Sequence, residues 1–143
     1  MPAYFDSSFL LAGLLGQEGG ESFAAFWDAE PVKLSSILIE AECVTAVRRL
    51  AVIQTSRPPA EFIAEQESLL EKYLPAVTVM HVNKTVVSRL RQESLLGKCR
   101  TLDAIHLATA LLFRDHADEP ITLCTNDSRM SEVGTEFGFP VFA

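Results

Sequence analysis

Two aspartates stand where a predicted strand ends and a helix begins. Asp6 follows the apolar run 3–5, and Asp127 follows the run 121–124, in which Ile and Thr are β-branched. In open parallel sheets, ligands bind beyond the carboxyl ends of the strands, so these two side chains are expected to lie close together. An aspartate in either position also serves as an ordinary helix N-cap. The sequence thus predicts a pair of carboxylates at one sheet edge, acting as caps, as ligands or as both.

A third aspartate, Asp103, lies two residues after Thr101, which is predicted to cap another helix. That helix is heavily apolar, so Asp103 is expected to be at least partly buried. A buried charge needs a partner, because an unpaired one is costly. His106, one helical turn further on, and a metal ion are the two candidate partners. Simple compensation of the helix dipole is the ordinary explanation.

Two glutamates, Glu40 and Glu42, lie on the long helix predicted over residues 36–54. Glu42 shares a helical face with Ala46 and Arg49, and the small Ala46 leaves room beside it for an ion. Glu40 instead borders the apolar stripe predicted to face the core. That stripe comprises Ile37, Ala41, Val44, Val47 and Ala51. Periodicity alone does not choose between the two glutamates.

Together these acids form a ligand set that contains only oxygen. Carboxylate and water ligands suit Mg²⁺ or Mn²⁺ rather than zinc. In two-metal sites, ions ~3.5–4 Å apart stabilise the attacking and leaving oxygens of a displaced phosphate. The chemistry that these residues favour is metal-assisted hydrolysis of a phosphodiester.

Short β-type runs alternate with helical patterns along the chain, which indicates an α/β sandwich around a parallel sheet. Strands are predicted at 3–5, 32–35, 76–82, 121–124 and 141–142. Helices are predicted at 7–15, 21–29, 36–54, 59–74, after the cap Asn83, 101–115 and 128–137. We find no repeat, linker or composition shift, so one domain over residues 1–143 is expected.

Charge and cysteine content restrict the class of protein. The 143 residues carry 12 Lys+Arg against 19 Asp+Glu, a net charge of −7, which argues against an electrostatic nucleic-acid binder unless the acids bind cations. Three widely spaced cysteines, Cys43, Cys99 and Cys124, form neither a disulfide framework nor a zinc signature. The longest apolar run, residues 9–16, is far below the ~20 residues of a spanning helix. No basic residue precedes Lys33, so a signal peptide is not expected. We predict a cytoplasmic location and no membrane association.

Basic residues flank two of the acids and are candidates for contacts with phosphates, which position a nucleic acid without reading its sequence. Each of them is individually also explained as part of a solvated helix face. The candidates before Asp103 are Arg89, Arg91, Lys98 and Arg100, and those after Glu42 are Arg48 and Arg49.

Four segments in order carry a resemblance to a known family: residues 4–8, residues 36–42 with Ala46 and Arg49, residues 100–108, and residues 125–127. The sequence resembles PIN-domain ribonucleases and is most similar to the VapC toxins of bacterial toxin–antitoxin modules. The likeness covers essentially the whole chain. It implies a PIN-like three-layer sandwich, with a central, mostly parallel sheet of about five short strands flanked by helices.

The resemblance also implies a site and a function. The acidic quartet that binds Mg²⁺ or Mn²⁺ would be Asp6, Glu42, Asp103 and Asp127, since the family pattern of an acid followed by Ala and Arg falls on Glu42. The implied activity is metal-dependent endoribonuclease cleavage of RNA by a homodimeric toxin, which a cognate VapB-like antitoxin inhibits. Hydroxyl residues flank the acids in this family, as Ser7, Ser8 and Thr125 do here, and Asn126 could assist Asp127. The alternative is a non-catalytic PIN-like module that binds protein or RNA and retains a vestigial acidic site.

Overall fold

The computed structural model describes residues 1–17, 20 and 23–142, which form five strands, seven α-helices and two short 3₁₀ helices. The strands are β1 (Ala3–Phe5), β2 (Lys33–Ser36), β3 (Val77–Met80), β4 (Thr122–Cys124) and β5 (Val141–Phe142). The α-helices are α1 (Ser7–Leu14), α2 (Phe23–Ala29), α3 (Leu38–Ile53), α4 (Pro59–Tyr73), α5 (Lys84–Gln92), α6 (Thr101–His116) and α7 (Ser128–Glu136). The 3₁₀ helices span Leu74–Ala76 and Ser94–Lys98.

The five strands form one parallel sheet in the order β3-β2-β1-β4-β5. Strand β1 is central, with Tyr4 paired to Leu34 of β2 on one side and to Leu123 of β4 on the other. The chain builds outward from β1 to β3 and then returns to the opposite side of β1. The carboxyl ends of β1 and β4 therefore meet at a topological switch point, where ligands of such sheets bind. The predicted α/β sandwich with a parallel sheet is confirmed.

Helices cover both faces of the sheet, because successive side chains of a strand point to opposite sides. Tyr4 packs in one core with Leu107 and Leu111 of α6. Phe5 packs in the other core with Phe9 of α1 and residues of α2, α3 and α4. The result is a sandwich of three layers, with the sheet between two layers of helices. The carboxyl end of β1 therefore lies between helices from both layers.

The helix predicted over 36–54 forms as α3, but its buried stripe differs from the prediction. Ile39 and Cys43 are buried, whereas Ala41 is exposed. Val47 and Ala51 belong to both the predicted and the observed stripe. The helix begins at Leu38 and packs against α1, α4 and the sheet. Its apolar residues occur at spacings of both three and four, so the sequence was compatible with more than one buried face.

The predicted first residues of α6 and α2 can be compared with the structure only in part. Helix α6 includes Thr101 as its first residue, and the cap position is Arg100, without a side-chain cap bond. The predicted Thr101 cap is therefore wrong by one residue. The predicted start of α2 at Glu21 lies outside the described residues. Within the described residues, no helix has the length and apolarity to cross a membrane.

Candidate active site

Asp6 follows β1 directly and is buried, with both carboxylate oxygens hydrogen-bonded. Oδ1 accepts from the Ser8 hydroxyl at 2.7 Å and from the backbone N–H of Phe9 at 3.0 Å. Oδ2 accepts from the Thr125 hydroxyl at 2.6 Å. Burial raises the pKa of Asp6, and these hydrogen bonds oppose the rise by stabilising the carboxylate. Asp6 thus caps α1 as the ordinary reading predicts, but it also faces β4.

The ends of β1 and β4 are joined by hydroxyl groups. Thr125, which donates to Asp6, accepts from the backbone N–H of Asp127 at 3.1 Å, and the Ser8 hydroxyl accepts from the backbone N–H of Asn126 at 2.9 Å. Asp127 caps α7 through Oδ1, which accepts from the Met130 N–H at 2.8 Å. The strand ends that precede the two aspartates are adjacent, and Ser8 and Thr125 lie between them. A role for the Asn126 side chain stays a prediction.

Asp103 lies in the first turn of α6, on the side of the helix that faces the other acids. Burial raises the pKa of Asp103, and the negative charges of Asp127, Asp6 and Glu42 raise it further, while His106 lowers it. A nearby like charge disfavours the ionised form of a carboxyl. The four acids predicted to form a site therefore share one region of negative potential.

Glu42 reaches the site from α3 and is bonded to a histidine. Its Oε1 lies 2.5 Å from Nε2 of His106, and Nδ1 of His106 lies 2.8 Å from the Tyr4 hydroxyl. The sequence offers His106 as a partner for Asp103, but the carboxylate that bonds to His106 is that of Glu42. The sequence missed this pairing, since His106 and Glu42 are 64 positions apart and meet only because α3 and α6 reach the same sheet edge.

The two glutamates that periodicity left open line different grooves. Glu42 lines a groove of about 420 Å³ together with Leu38 and with Ala46 and Arg49, the two neighbours predicted for its helical face. Glu40 lines a separate groove of about 510 Å³ between α3 and α4. Of the two, Glu42 is the one that interacts with Asp103.

A small cleft of about 250 Å³ brings cations beside the acids. Asp103 and Asp127 line it together with Lys98, Arg100 and Arg129. Arg129 also donates to the backbone carbonyl of Lys98 at 3.0 Å, which ties α7 to the segment before α6. Sequence reasoning missed Arg129, although its position two residues after Asp127, in the first turn of α7, was a usable signal.

Three of the other basic candidates pair with other acids or lie in a different groove. Arg89 bonds both Glu93 and Asp115, and these bonds raise its pKa. Arg48 pairs with Glu67 at 2.6 Å. Arg91 lines a groove beside α5 that does not include the acids. Of the predicted cations before Asp103, Lys98 and Arg100 line the cleft with it, and Arg129 joins them. Lys98 also pairs with Glu136 at 3.4 Å and Arg129 with Glu132 at 4.0 Å, both at exposed positions.

A sequence model of the PIN domain matches residues 3–136. The chain belongs to the PIN domain family. PIN domains are generally nucleases, and they generally use divalent metal ions. Among solved structures, a toxin–antitoxin complex from Klebsiella pneumoniae contains a chain of similar fold, with a TM-score of 0.66 and 18% sequence identity, over 99% of this chain and 96% of that one. No curated protein matches the sequence significantly.

The donor chemistry of this PIN domain fits a divalent cation. All four acids offer oxygen ligands, and their mutual repulsion at Asp103 is a cost that a cation would relieve. Among the described residues, no three His, Cys, Asp or Glu side chains lie close enough to hold an ion as they stand. Mg²⁺ usually binds one or two carboxylates and keeps several water ligands, so a closed protein cage is not required.

Proposed function

We propose that this PIN domain is a metal-dependent endoribonuclease that hydrolyses RNA phosphodiester bonds. The observation that carries the proposal is that Asp103 interacts electrostatically with Asp6, Glu42 and Asp127, which come from three other segments of the chain. Three cations line a cleft with two of these acids. Acids that bind a metal ion would supply the centre for metal-assisted phosphodiester hydrolysis, and cationic side chains beside them would bind phosphates of the substrate.

The proposed ligands are Asp6 and Asp103, with Glu42 and Asp127 completing the shell directly or through water. Mg²⁺ or Mn²⁺, when bound, lowers the pKa of a coordinated water and neutralises charge that develops on the phosphate. Asp6 is held rigidly, because Ser8, Phe9 and Thr125 each donate to it. That preorganisation favours a fixed ligand position, which is where an electrostatic catalyst gains most.

The proposed RNA contacts are Lys98, Arg100 and Arg129, which lie next to Asp103 and Asp127. On the other side, Arg49 lines the groove of Glu42. Contacts of this type bind phosphates and position the strand without reading its sequence. An acidic chain can thus hold RNA locally, since these cations lie beside two of the acids that would bind the metal ion.

We further propose that the chain is a cytoplasmic VapC-type toxin, acting as a homodimer and inhibited by a VapB-like antitoxin. The support is the likeness in fold to a chain of the Klebsiella pneumoniae toxin–antitoxin complex along nearly the full length of both. Expression alone should arrest growth, and co-expression of the product of the neighbouring gene should relieve the arrest. Light scattering of the purified chain tests the dimer. Normal growth on expression of a nuclease-active chain would remove the toxin assignment.

The nuclease is tested with purified chain and 5′-labelled single-stranded RNA. Cleavage is expected with Mn²⁺, and it should disappear with a chelator or in Asp6→Asn. The expected new ends carry a 5′-phosphate. Glu40→Gln is the matched control, because Glu40 lies in a different groove and should leave the rate unchanged. Undiminished cleavage with chelator or in Asp6→Asn would rule out the metal mechanism.

The same experiment decides the non-catalytic alternative. A module with a vestigial site would bind RNA or protein without cleaving RNA under any metal condition. It would also show no saturable Mn²⁺ binding in a calorimetric titration. The repulsion that Asp127, Asp6 and Glu42 exert on Asp103 favours the catalytic function, since a bound cation would relieve it.

A further inference from the structure

A hydrogen-bonded chain of three side chains leads from the centre of the sheet to the acids. The Tyr4 hydroxyl contacts Nδ1 of His106 at 2.8 Å, and Nε2 of His106 contacts Oε1 of Glu42 at 2.5 Å. Tyr4 is fully buried and His106 is 1% exposed. The Glu42 side chain is 18% exposed, so the chain ends at the surface of the site. Glu42 is thus the only member of the three that reaches solvent to a substantial extent.

The hydrogen bonds around Tyr4 assign the protons. An ionised carboxylate can only accept a hydrogen bond, so Nε2 of His106 carries a proton and donates to Glu42. In a neutral imidazole, Nδ1 is then the acceptor, and the Tyr4 hydroxyl is its donor. The hydroxyls of Ser35 and Thr109 also contact the Tyr4 hydroxyl. Each gives its own proton to a backbone carbonyl, Ser35 to that of Phe5 and Thr109 to that of Ile105, each at 2.7 Å, so neither donates to Tyr4.

We propose that His106, held by Tyr4, is a positioning residue for Glu42. The imidazole occupies Oε1, which leaves Oε2 as the oxygen available to a cation. A glutamate has three rotatable bonds, and a single short donor in a fixed, buried ring selects one orientation of its carboxylate. Partners that orient a ligand in this way typically contribute 10–100-fold to metal affinity or activity. The link to the cation rests on the proposed function, whereas the tautomer and the orientation of Glu42 do not.

Two amide substitutions at His106 separate its hydrogen bond to Glu42 from its hydrogen bond to Tyr4. His106→Gln places an amide as many bonds from Cβ as Nε2 is, and so keeps a donor for Glu42. His106→Asn places its amide where Nδ1 lies, and so keeps a group for Tyr4 but none for Glu42. Calorimetry with Mn²⁺ should give an affinity for His106→Gln within about threefold of the original and one for His106→Asn about 10–100-fold weaker. Equal affinities in the two variants would show that His106 acts only in packing.

Circular dichroism and urea unfolding of both variants establish that they fold. Should His106→Asn fail to fold, Tyr4→Phe removes only a hydroxyl and serves instead. Without its donor at Nδ1, His106 is expected to lose the single tautomer, and Mn²⁺ affinity should fall. An unchanged tautomer and affinity in Tyr4→Phe would overturn the role of Tyr4.

A readout free of metal and RNA keeps this inference separate from the nuclease. In ¹⁵N spectra of histidine-labelled, metal-free protein, His106 should show a protonated Nε2 and a bare Nδ1. A proton on Nδ1 with a bare Nε2 would contradict the positioning directly. If the tautomer is as proposed but the original chain binds no Mn²⁺ and cleaves no RNA, the proposed function fails and with it the cation half of the inference.

Discussion

Asp103 shows how the chemistry of the site is set at the level of a single residue. It occupies the first turn of α6, where the helix N-terminus favours a carboxylate. Burial and the charges of Asp127, Asp6 and Glu42 act in the opposite direction and raise its pKa. The net result is a raised pKa, so the folded chain disfavours the ionised form of Asp103.

The raised pKa of Asp103 predicts how stability depends on pH. Between its ordinary and its raised pKa, the folded chain binds more protons than the unfolded chain, so the free energy of unfolding falls as pH rises through that interval. Asp103→Asn should flatten this part of the curve and stabilise the metal-free protein at pH 7. Urea unfolding at a series of pH values measures both effects.

Mn²⁺ should reverse the comparison by stabilising the original chain more than Asp103→Asn, since a ligand that binds only the folded state stabilises it. The control is Asp118→Asn, at an exposed position after α6. A steeper pH dependence in Asp103→Asn than in the original chain would contradict the electrostatic description.

Residue positions near the site were predictable to different degrees. Asp6 and Asp127 could be placed from the sequence, because a residue between a strand and a helix is located by local pattern alone. The pairing of Glu42 with His106 could not, since it depends on how α3 and α6 approach each other. For the same reason the sequence did not separate Arg89, which pairs with Asp115, from Arg100, which lines the cleft with Asp103.

At the level of elements, α1 depends on a close contact with α2. A Cβ added to Gly13 would lie 2.1 Å from Cγ of Phe23, whose ring is buried. Helix α1 begins immediately after Asp6, so its seating helps to determine where that carboxylate lies. The sequence predicted α1 and α2 from their periodicity, but a packing contact between two helices leaves no periodic signal.

Gly13→Ala should therefore destabilise the protein by about 1–3 kcal/mol, the usual cost of overpacking a well-filled core. Gly97→Ala is the matched control, because a Cβ there meets nothing within 4 Å. Its effect should stay within about 0.5 kcal/mol, as for ordinary surface substitutions. Urea unfolding of both variants measures the difference. Equal stabilities would show that α2 moves away from α1 without cost.

For the whole molecule, the distribution of charge matters more than its total. The net charge of −7 includes four acids at one site, with Lys98, Arg100 and Arg129 beside two of them. The parallel sheet brings these groups together, because β1 and β4 end at the same edge. Alternation of strands and helices predicted that sheet, whereas the selection among basic residues required the structure. The single domain expected over residues 1–143 stays a prediction.

Charge reversal tests this distribution. Arg100→Glu with Arg129→Glu should weaken RNA binding and lower the slope of log affinity against log salt by roughly 1–1.5, as expected for two lost phosphate contacts on a single strand. Lys84→Glu with Arg91→Glu changes the net charge equally, but both residues line a groove without the acids. The control should keep the original slope. Equal losses in the two double variants would show that RNA responds only to total charge.

The most direct test of the central claim is the position of a bound cation. Anomalous diffraction from crystals grown with Mn²⁺ should show the ion among Asp6, Glu42, Asp103 and Asp127, and no peak there in crystals of Asp103→Asn grown in the same way. Ordered Mn²⁺ only at other sites, with these four carboxylates unliganded at saturating Mn²⁺, would contradict the claim that they form a metal centre.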